Sequence, residues 1–335
     1  MSARIGGDPN LIQGPGGNTS LKLGGQVWVK ASGCWLAHAR DREIFVPLRL
    51  TQILAQIDAG DAEDFENCVV GAQAKGGMKP SIETALHALM PHEVVVHAHA
   101  VNSMTVSVLR HGDQLARERL GDAVKWSWIP YQRPGRRLAQ AVRERMADGN
   151  FDALILQNHG VIVGASTPDE AERGLRMIED RLRLPAKEPL ASDTARLARV
   201  ESDDYQVCAE LSGVAIDEEM LDLLTSGALI PDQAVFLGGP LPELAPGETA
   251  SEAAERVRAS TGVNPAFIAV RGAGVLGRKE RSDAAEPLLR ALIEMAKRVP
   301  SRAQVNWLSR EGVEELLNWD AERYRQAVNR SGPGA

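Results

Sequence analysis

The chain has 335 residues, of which 44% are hydrophobic and 25% charged, and its formal net charge is −7. That length fits about two domains of roughly 100–200 residues each, and the acidic balance leaves no cationic excess to neutralise nucleic-acid phosphates. There is no apolar run of about 18 residues and no apolar segment at the N-terminus, so neither a membrane span nor a signal peptide is expected. Three cysteines, Cys34, Cys68 and Cys208, are odd in number and widely spaced. They fit reduced thiols of a cytoplasmic protein better than a disulfide framework.

A Gly-rich segment, Gly14-Pro15-Gly16-Gly17-Asn18-Thr19-Ser20, comes first, and the alternation after it predicts a hairpin with Gln26–Lys30 as one strand. Helical spacing of apolar residues predicts a helix over Leu48–Ala59. Pro80-Ser81-Ile82-Glu83 offers helix-start chemistry, so a helix is predicted from about Ser81 to Met90, ahead of Pro91. Val94–Val96 reads as a buried strand and Pro134–Met146 as a helix. Leu154–Leu156 and Val161–Val163 read as two strands joined by a turn, and Thr167-Pro168-Asp169-Glu170 starts another helix with proline in its first turn. The stretch Leu184–Leu190, with two prolines and two charges, predicts a linker. The expected domains are therefore 1–187 and 188–335. In the second, helical segments to about Leu224 precede a strand at Ala234–Leu237, a helix at Ser251–Ala259, a strand at Phe267–Val270 and a helix at Ser282–Arg298. Arg310–Val328 is predicted helical, before a frayed Ser-Gly-Pro-Gly-Ala tail. This alternation predicts a smaller α/β domain.

All 7 histidines lie in the first half of the chain. His97-Ala98-His99 ends a predicted strand, where residues i and i+2 share a face. His159 follows another predicted strand and can supply a third ligand; three protein ligands with an open position is the pattern of a catalytic zinc site. The alternative is a surface pair at a strand end. Glu83, the nearest carboxylate in sequence, is open to two readings: a metal-exchanging general base, or a first-turn glutamate favoured by the helix dipole. His87, four residues on, is either packed or supports the site from behind. His38, His92 and His111 are expected at the surface. Gly17, Asn18, Ser32, Gly33 and Ser81 supply small donors suited to a phosphate, although each alone also reads as an ordinary turn. Gly272-Ala273-Gly274-Val275-Leu276-Gly277 matches a dinucleotide fingerprint. No helix opens within it and no acidic residue follows at the required distance, so a Gly-rich hairpin turn is expected instead.

Gly17-Asn18-Thr19-Ser20, Ser32-Gly33, Pro80-Ser81-Ile82-Glu83, His97-Ala98-His99, Pro130-Tyr131 and Asn158-His159-Gly160, in that order, closely resemble the class II aldolase/adducin family over roughly residues 1–184. The second part more loosely resembles the extra region in the aldolase portion of bifunctional rhamnulose-1-phosphate aldolase/dehydrogenase proteins, whose dehydrogenase domain would have to follow Ala335. The resemblance implies an αβα three-layer sandwich around a mostly antiparallel sheet, assembled as a homotetramer. It implies one divalent metal per subunit, commonly zinc, on His97, His99 and His159 with Glu83 as exchangeable fourth ligand. It also implies a substrate phosphate on Gly17, Asn18, Ser32, Gly33 and Ser81, with Tyr131 as proton donor on the aldehyde side. The family often has two serines before the glutamate, and Ile82 replaces the second, which opens the way to a smaller or non-phosphorylated substrate.

The expected activity is that of a lyase, a metal-dependent aldolase acting on a ketose phosphate or related sugar through an enediolate. A pentulose-phosphate 4-epimerase and a sugar-acid phosphate decarboxylase use the same metal logic. A non-catalytic adducin-like interaction module is the alternative of another class, against which the intact histidines and Glu83 speak. No nicotinamide cofactor, nucleic acid or membrane is expected as a partner.

Overall fold

A computed structural model describes residues 1–71, 77–188 and 190–330. Pro189 of the expected linker and the tail from Ser331 lie outside the described residues. The chain divides into two compact units, one of Met1–Arg183 and one beginning at Leu184.

The first unit runs α1 (Ser2–Gly6), β1 (Asn18–Leu23), β2 (Gln26–Lys30), β3 (Phe45–Arg49), α2 (Leu50–Asp58), α3 (Thr84–Leu89), β4 (Val94–Ala98), α4 (Val101–Val108), α5 (Gly112–Leu120), β5 (Trp126–Ile129), α6 (Arg136–Ala147), β6 (Ala153–Leu156), β7 (Gly160–Ala165) and α7 (Pro168–Leu182). Its seven strands form one sheet in the order β3-β2-β1-β4-β7-β6-β5. Every pairing is antiparallel except β5 with β6. Successive strand residues point to opposite faces, so a central strand such as β4, buried throughout, needs apolar side chains on both. Val95 and Ile162 face one core with Leu86 of α3 and Leu138 and Val142 of α6. A second buried cluster brings Ile53 and Ile57 of α2 onto Val27, Val29 and Leu48. Helix α7 packs against β4 and β7 and α4 against β7, and a Cβ on Gly174 of α7 would lie 3.1 Å from Val163. The αβα sandwich and mostly antiparallel sheet are as expected.

Local corrections have local causes. The predicted helix at Leu48 starts at Leu50, because Val46 and Leu48 are both buried and alternate along β3. The helix at Thr167 is held by a full capping box between Thr167 and Glu170. His38 and His92 are half-buried rather than at the surface. His92 bonds Asp152 at 2.9 Å and lies against Gly164, where a Cβ would meet its ring at 2.2 Å.

The second unit comprises α8 (Thr194–Ala198), β8 (Tyr205–Val207), α9 (Glu218–Thr225), α10 (Pro231–Leu237), α11 (Ala250–Thr261), β9 (Phe267–Val270), β10 (Gly274–Arg278), α12 (Ala285–Arg298), α13 (Arg310–Leu317) and α14 (Asp320–Arg330). Its sheet has the order β8-β10-β9. The strand expected at Ala234–Leu237 is instead the end of α10. Pro231 opens this helix and Gly238, left-handed at φ +84°, closes it, and these start and stop signals outweigh a short apolar run. The single helix expected at Arg310–Val328 breaks at Asn318 and Trp319. Gly272–Gly277 form the β9–β10 turn and most of β10, with Gly272 left-handed at φ +70°. A Cβ on Gly274 would fall 2.5 Å from the Ser212 hydroxyl, so these glycines serve a hairpin.

Candidate metal centre

The site lies at the C-terminal end of β4, the middle strand of the large sheet. Antiparallel register sets Asn18 of β1 directly opposite His97, and Ile162 of β7 opposite it on the other side. His99 follows just past the strand. His159 sits in the three-residue turn between β6 and β7, whose register closes at Leu156–Gly160. Asn158, in that turn, is left-handed at φ +55°, a conformation asparagine tolerates better than most residues. Glycine is required after His159, because a Cβ on Gly160 would lie 2.3 Å from the carbonyl of Ala98. Gly17 has a similar duty: it is left-handed at φ +58°, and a Cβ there would come within 2.8 Å of the His97 carbonyl. Both glycines let neighbouring backbone close on β4.

Glu83 stands at the N-cap position of α3, but its side chain makes no capping bond. It turns to the histidines instead. Oε2 lies 3.4 Å from His97 Nε2, and Oε1 lies 3.1 Å from His159 Nε2. His99 Nε2 is 3.2 Å from His97 Nε2. The three imidazole centroids are 4.9–5.1 Å apart. One donor atom from each of Glu83, His97, His99 and His159 lies within 4.8 Å of the others, and all four residues are buried.

His97 Nδ1 lies 3.1 Å from the Val161 carbonyl. A carbonyl only accepts, so Nδ1 carries the hydrogen and Nε2 is the nitrogen turned toward the cluster. Burial pushes the Glu83 carboxyl up. The adjacent His97 and His159 imidazoles outweigh that and hold it well below the usual carboxylate range. An ionised, buried Glu83 Oε1 that receives no well-aligned hydrogen bond is costly unless a cation stands beside it. Three imidazole nitrogens and one carboxylate oxygen are a donor set for a borderline divalent ion such as zinc, so the residues present fit such a group.

Residues 2–184 match the family model of the class II aldolase and adducin N-terminal domain. The chain belongs to that family. Over 181 residues it is 30% identical to the uncharacterized oxidoreductase YuxG of Bacillus subtilis (strain 168), a match covering 49% of this chain and 25% of YuxG. This chain therefore spans about a quarter of that relative's length. Among solved structures, the N-terminal class II aldolase domain of a conserved protein from Thermoplasma acidophilum is 28% identical. That match covers 54% of this chain and 88% of the other, with a TM-score of 0.47. L-fuculose-1-phosphate aldolase from Thermus thermophilus is 18% identical over 54% of this chain and 89% of that one, with a TM-score of 0.34.

The family's small-donor segments come together as well. The Asn18 amide reaches Ser81 Oγ at 3.2 Å. Ala31 bridges Pro80, and the Ser32 N–H donates to the Lys79 carbonyl at 2.9 Å. Ser32 Oγ is buried with no hydrogen-bond partner among the described residues. Gly33, left-handed at φ +79°, turns the chain behind it. Lys30, missed at the sequence level because it reads as an ordinary strand residue, is buried. Its ammonium joins the Pro15 and Cys34 carbonyls at 2.6 and 2.8 Å, tying the glycine loop to the Ser32 loop. Tyr131 is outside the four-residue cluster, in the loop after β5, where its N–H donates to Gln157 Oε1 at 3.1 Å.

Asn18 is tied to the cluster as well. Its NH₂ donates to Glu83 Oε2 at 2.9 Å as well as to Ser81, and its carbonyl oxygen meets His87 Nε2. His87 is fully buried, and its Nδ1 lies 2.7 Å from Ser20 Oγ. Its place four residues after Glu83 was visible in the sequence; its bond to Asn18 was not.

Proposed function

We propose that the first unit is a metal-dependent lyase that cleaves or forms a C–C bond in a ketose phosphate or related sugar. The convergence of Glu83, His97, His99 and His159 in a buried cluster carries this reading, within a family whose members include aldolases. It favours an enzyme over a non-catalytic adducin-like module, since nothing in packing alone calls for three histidines and a carboxylate so close together.

His97, His99 and His159 would hold one divalent ion, on chemical grounds zinc, with Glu83 as the ligand able to leave. When bound, the ion supplies Lewis acidity that stabilises negative charge developing on the substrate as the C–C bond breaks. Glu83, ionised because of its imidazole neighbours, accepts and returns the proton at the reacting carbon. The loops carrying Gly17, Ser32, Gly33 and Ser81 would bind the distal phosphate and turn remote binding energy into orientation. Tyr131 would protonate the aldehyde oxygen, and the working assembly would be a homotetramer.

Metal analysis of the purified protein, with an assay for aldehyde and ketose-phosphate fragments across a panel of ketose phosphates, tests this reading. About one zinc per chain and fragment release are expected. Pentulose-phosphate interconversion without released fragments would replace the aldolase by an epimerase, and carbon dioxide release from a sugar-acid phosphate would replace it by a decarboxylase. A metal-free, well-folded protein would end the enzyme reading.

A further inference from the structure

Four polar side chains run in a line behind the cluster: Ser20 of β1, His87 of α3, Asn18 of β1, and Glu83. Their chemistry permits one arrangement of hydrogens. The Asn18 NH₂ donates to Glu83 Oε2 at 2.9 Å and to Ser81 Oγ at 3.2 Å. The Asn18 carbonyl oxygen then faces His87, so His87 Nε2 must carry a hydrogen and donate it. Burial lowers His87 to about 3, so the ring is neutral and has one hydrogen only. Nδ1 is therefore a lone pair, and the Ser20 hydroxyl 2.7 Å away donates to it.

We propose that His87 is a positioning residue for Glu83. Together with Ser20 it locks the Asn18 amide so that Glu83 Oε2 stays tethered and Oε1 stays turned toward His159, where an ion would be held. The inference rests on the proposed role of Glu83 and deepens it. If the amide turned over, its oxygen would face the carboxylate, and repulsion would push Glu83 off the site. Partners behind a ligand of this kind are commonly worth about 10–100-fold in metal affinity.

Two measurements test the proposal. In ¹⁵N-histidine-labelled wild type, NMR should show His87 as the neutral Nε2–H tautomer across neutral pH; an Nδ1–H tautomer or a doubly protonated ring would overturn it. In zinc titrations against a competing chelator, His87→Leu should bind roughly 10–100-fold more weakly. His87→Gln, whose terminal NH₂ can still donate to Asn18, should recover most of that loss. Ser20→Ala should weaken binding in the same direction, but less. Equal zinc affinity in all three variants, even with lowered stability, would make His87 a packing residue and sink the proposal. If His87→Leu does not fold, Ser20→Ala and the tautomer still decide. If wild type binds no zinc, the metal reading fails on its own, while the tautomer tests the lock separately.

Discussion

His97 Nδ1 donates to the carbonyl of Val161 at 3.1 Å, and that one bond aims the other nitrogen at the cluster. Val161 belongs to β7, antiparallel to β4 and offset by one residue from the position opposite His97. The sheet itself thus orients the ligand. His97→Ala should reduce bound zinc from about one per chain to near zero, read by elemental analysis. His38→Ala, away from the cluster, should leave zinc content unchanged. Full occupancy in His97→Ala would show that the ion is held elsewhere.

Ion binding should also stabilise the fold, because the four ligands come from α3, β4 and the β6–β7 turn and converge only when these are assembled. With free zinc near 100 times its dissociation constant, the gain is about 2.7 kcal/mol. For a unit of this size that is roughly 5–10 °C in melting temperature. Scanning calorimetry before and after chelation, then after adding zinc back, should show the loss and its recovery. Indistinguishable melting curves would argue against a structural link between ion and fold.

Gly160→Ala tests the close approach of the His159 turn to β4. The added methyl would stand 2.3 Å from the Ala98 carbonyl, and backbone cannot give as a flexible side chain can. A cost of about 1–3 kcal/mol is expected from overpacking of this kind, with weaker zinc binding as His159 is pushed out of register. Gly24→Ala is a poor control because Gly24 is left-handed, so Ser166→Ala, on the exposed surface, is the better comparison. Urea unfolding of wild type and the two variants reads the difference.

A second buried carboxylate, Glu179 of α7, accepts from the N–H groups of Asn102 and Ser103 at 2.9 and 2.8 Å and from the Ser103 hydroxyl. It thereby covers the start of α4, just beyond His99. Burial pushes Glu179 up to about 7 from an ordinary 4.5, against the pull of those donors. The folded chain therefore holds this proton more tightly than the unfolded chain does. Stability from this group should fall as pH rises from about 4.5 to about 7, by roughly 3 kcal/mol in all. Glu179→Gln has no proton to lose, so its stability should decline less over that window. Equal pH slopes for the two proteins in urea unfolding would refute this.

In the second unit, the Arg325 guanidinium reaches Asp232 at 3.1 Å and Glu322 at 2.8 Å, and it lies 5.2 Å from the centre of the Phe236 ring. All three charged groups are buried. Arg325→Ala would remove a buried cation that both carboxylates contact, and a loss of about 3–5 kcal/mol is expected. Arg323→Ala, on the exposed face of the same helix, should cost less than about 0.5 kcal/mol. Equal losses would mean that helix α14 is not anchored through Arg325.

Much of the site was legible because its signals are short-range. The His97-Ala98-His99 pair ends an apolar run, His159 sits between two strands in a turn closed by glycine, and Glu83 follows a helix-start signature. Periodicity likewise marked the long amphipathic helices α6, α7 and α12. Reading failed where an element is short and its apolar residues fit two periods. The run at Ala234–Leu237 fits either helix or strand, and only Pro231 and Gly238 tell them apart. Trp126–Ile129 and Phe45–Arg49 are strands because neighbouring strands supply their hydrogen bonds, which no local pattern records.

The sequence by itself determined which residue types could hold an ion and which family's order of motifs the chain follows. It left Glu83 between cap and ligand, His87 between packing and support, and Asn18 among phosphate donors. Tertiary structure alone shows what each of the three touches. Strand register sets Asn18 opposite His97, the turn of α3 carries Glu83 to His97 and His159, and the next helical turn brings His87 onto the Asn18 amide. These are contacts between residues tens of positions apart. A hydrogen bond depends on angstroms and on which atom donates, and neither is settled until the sheet has closed.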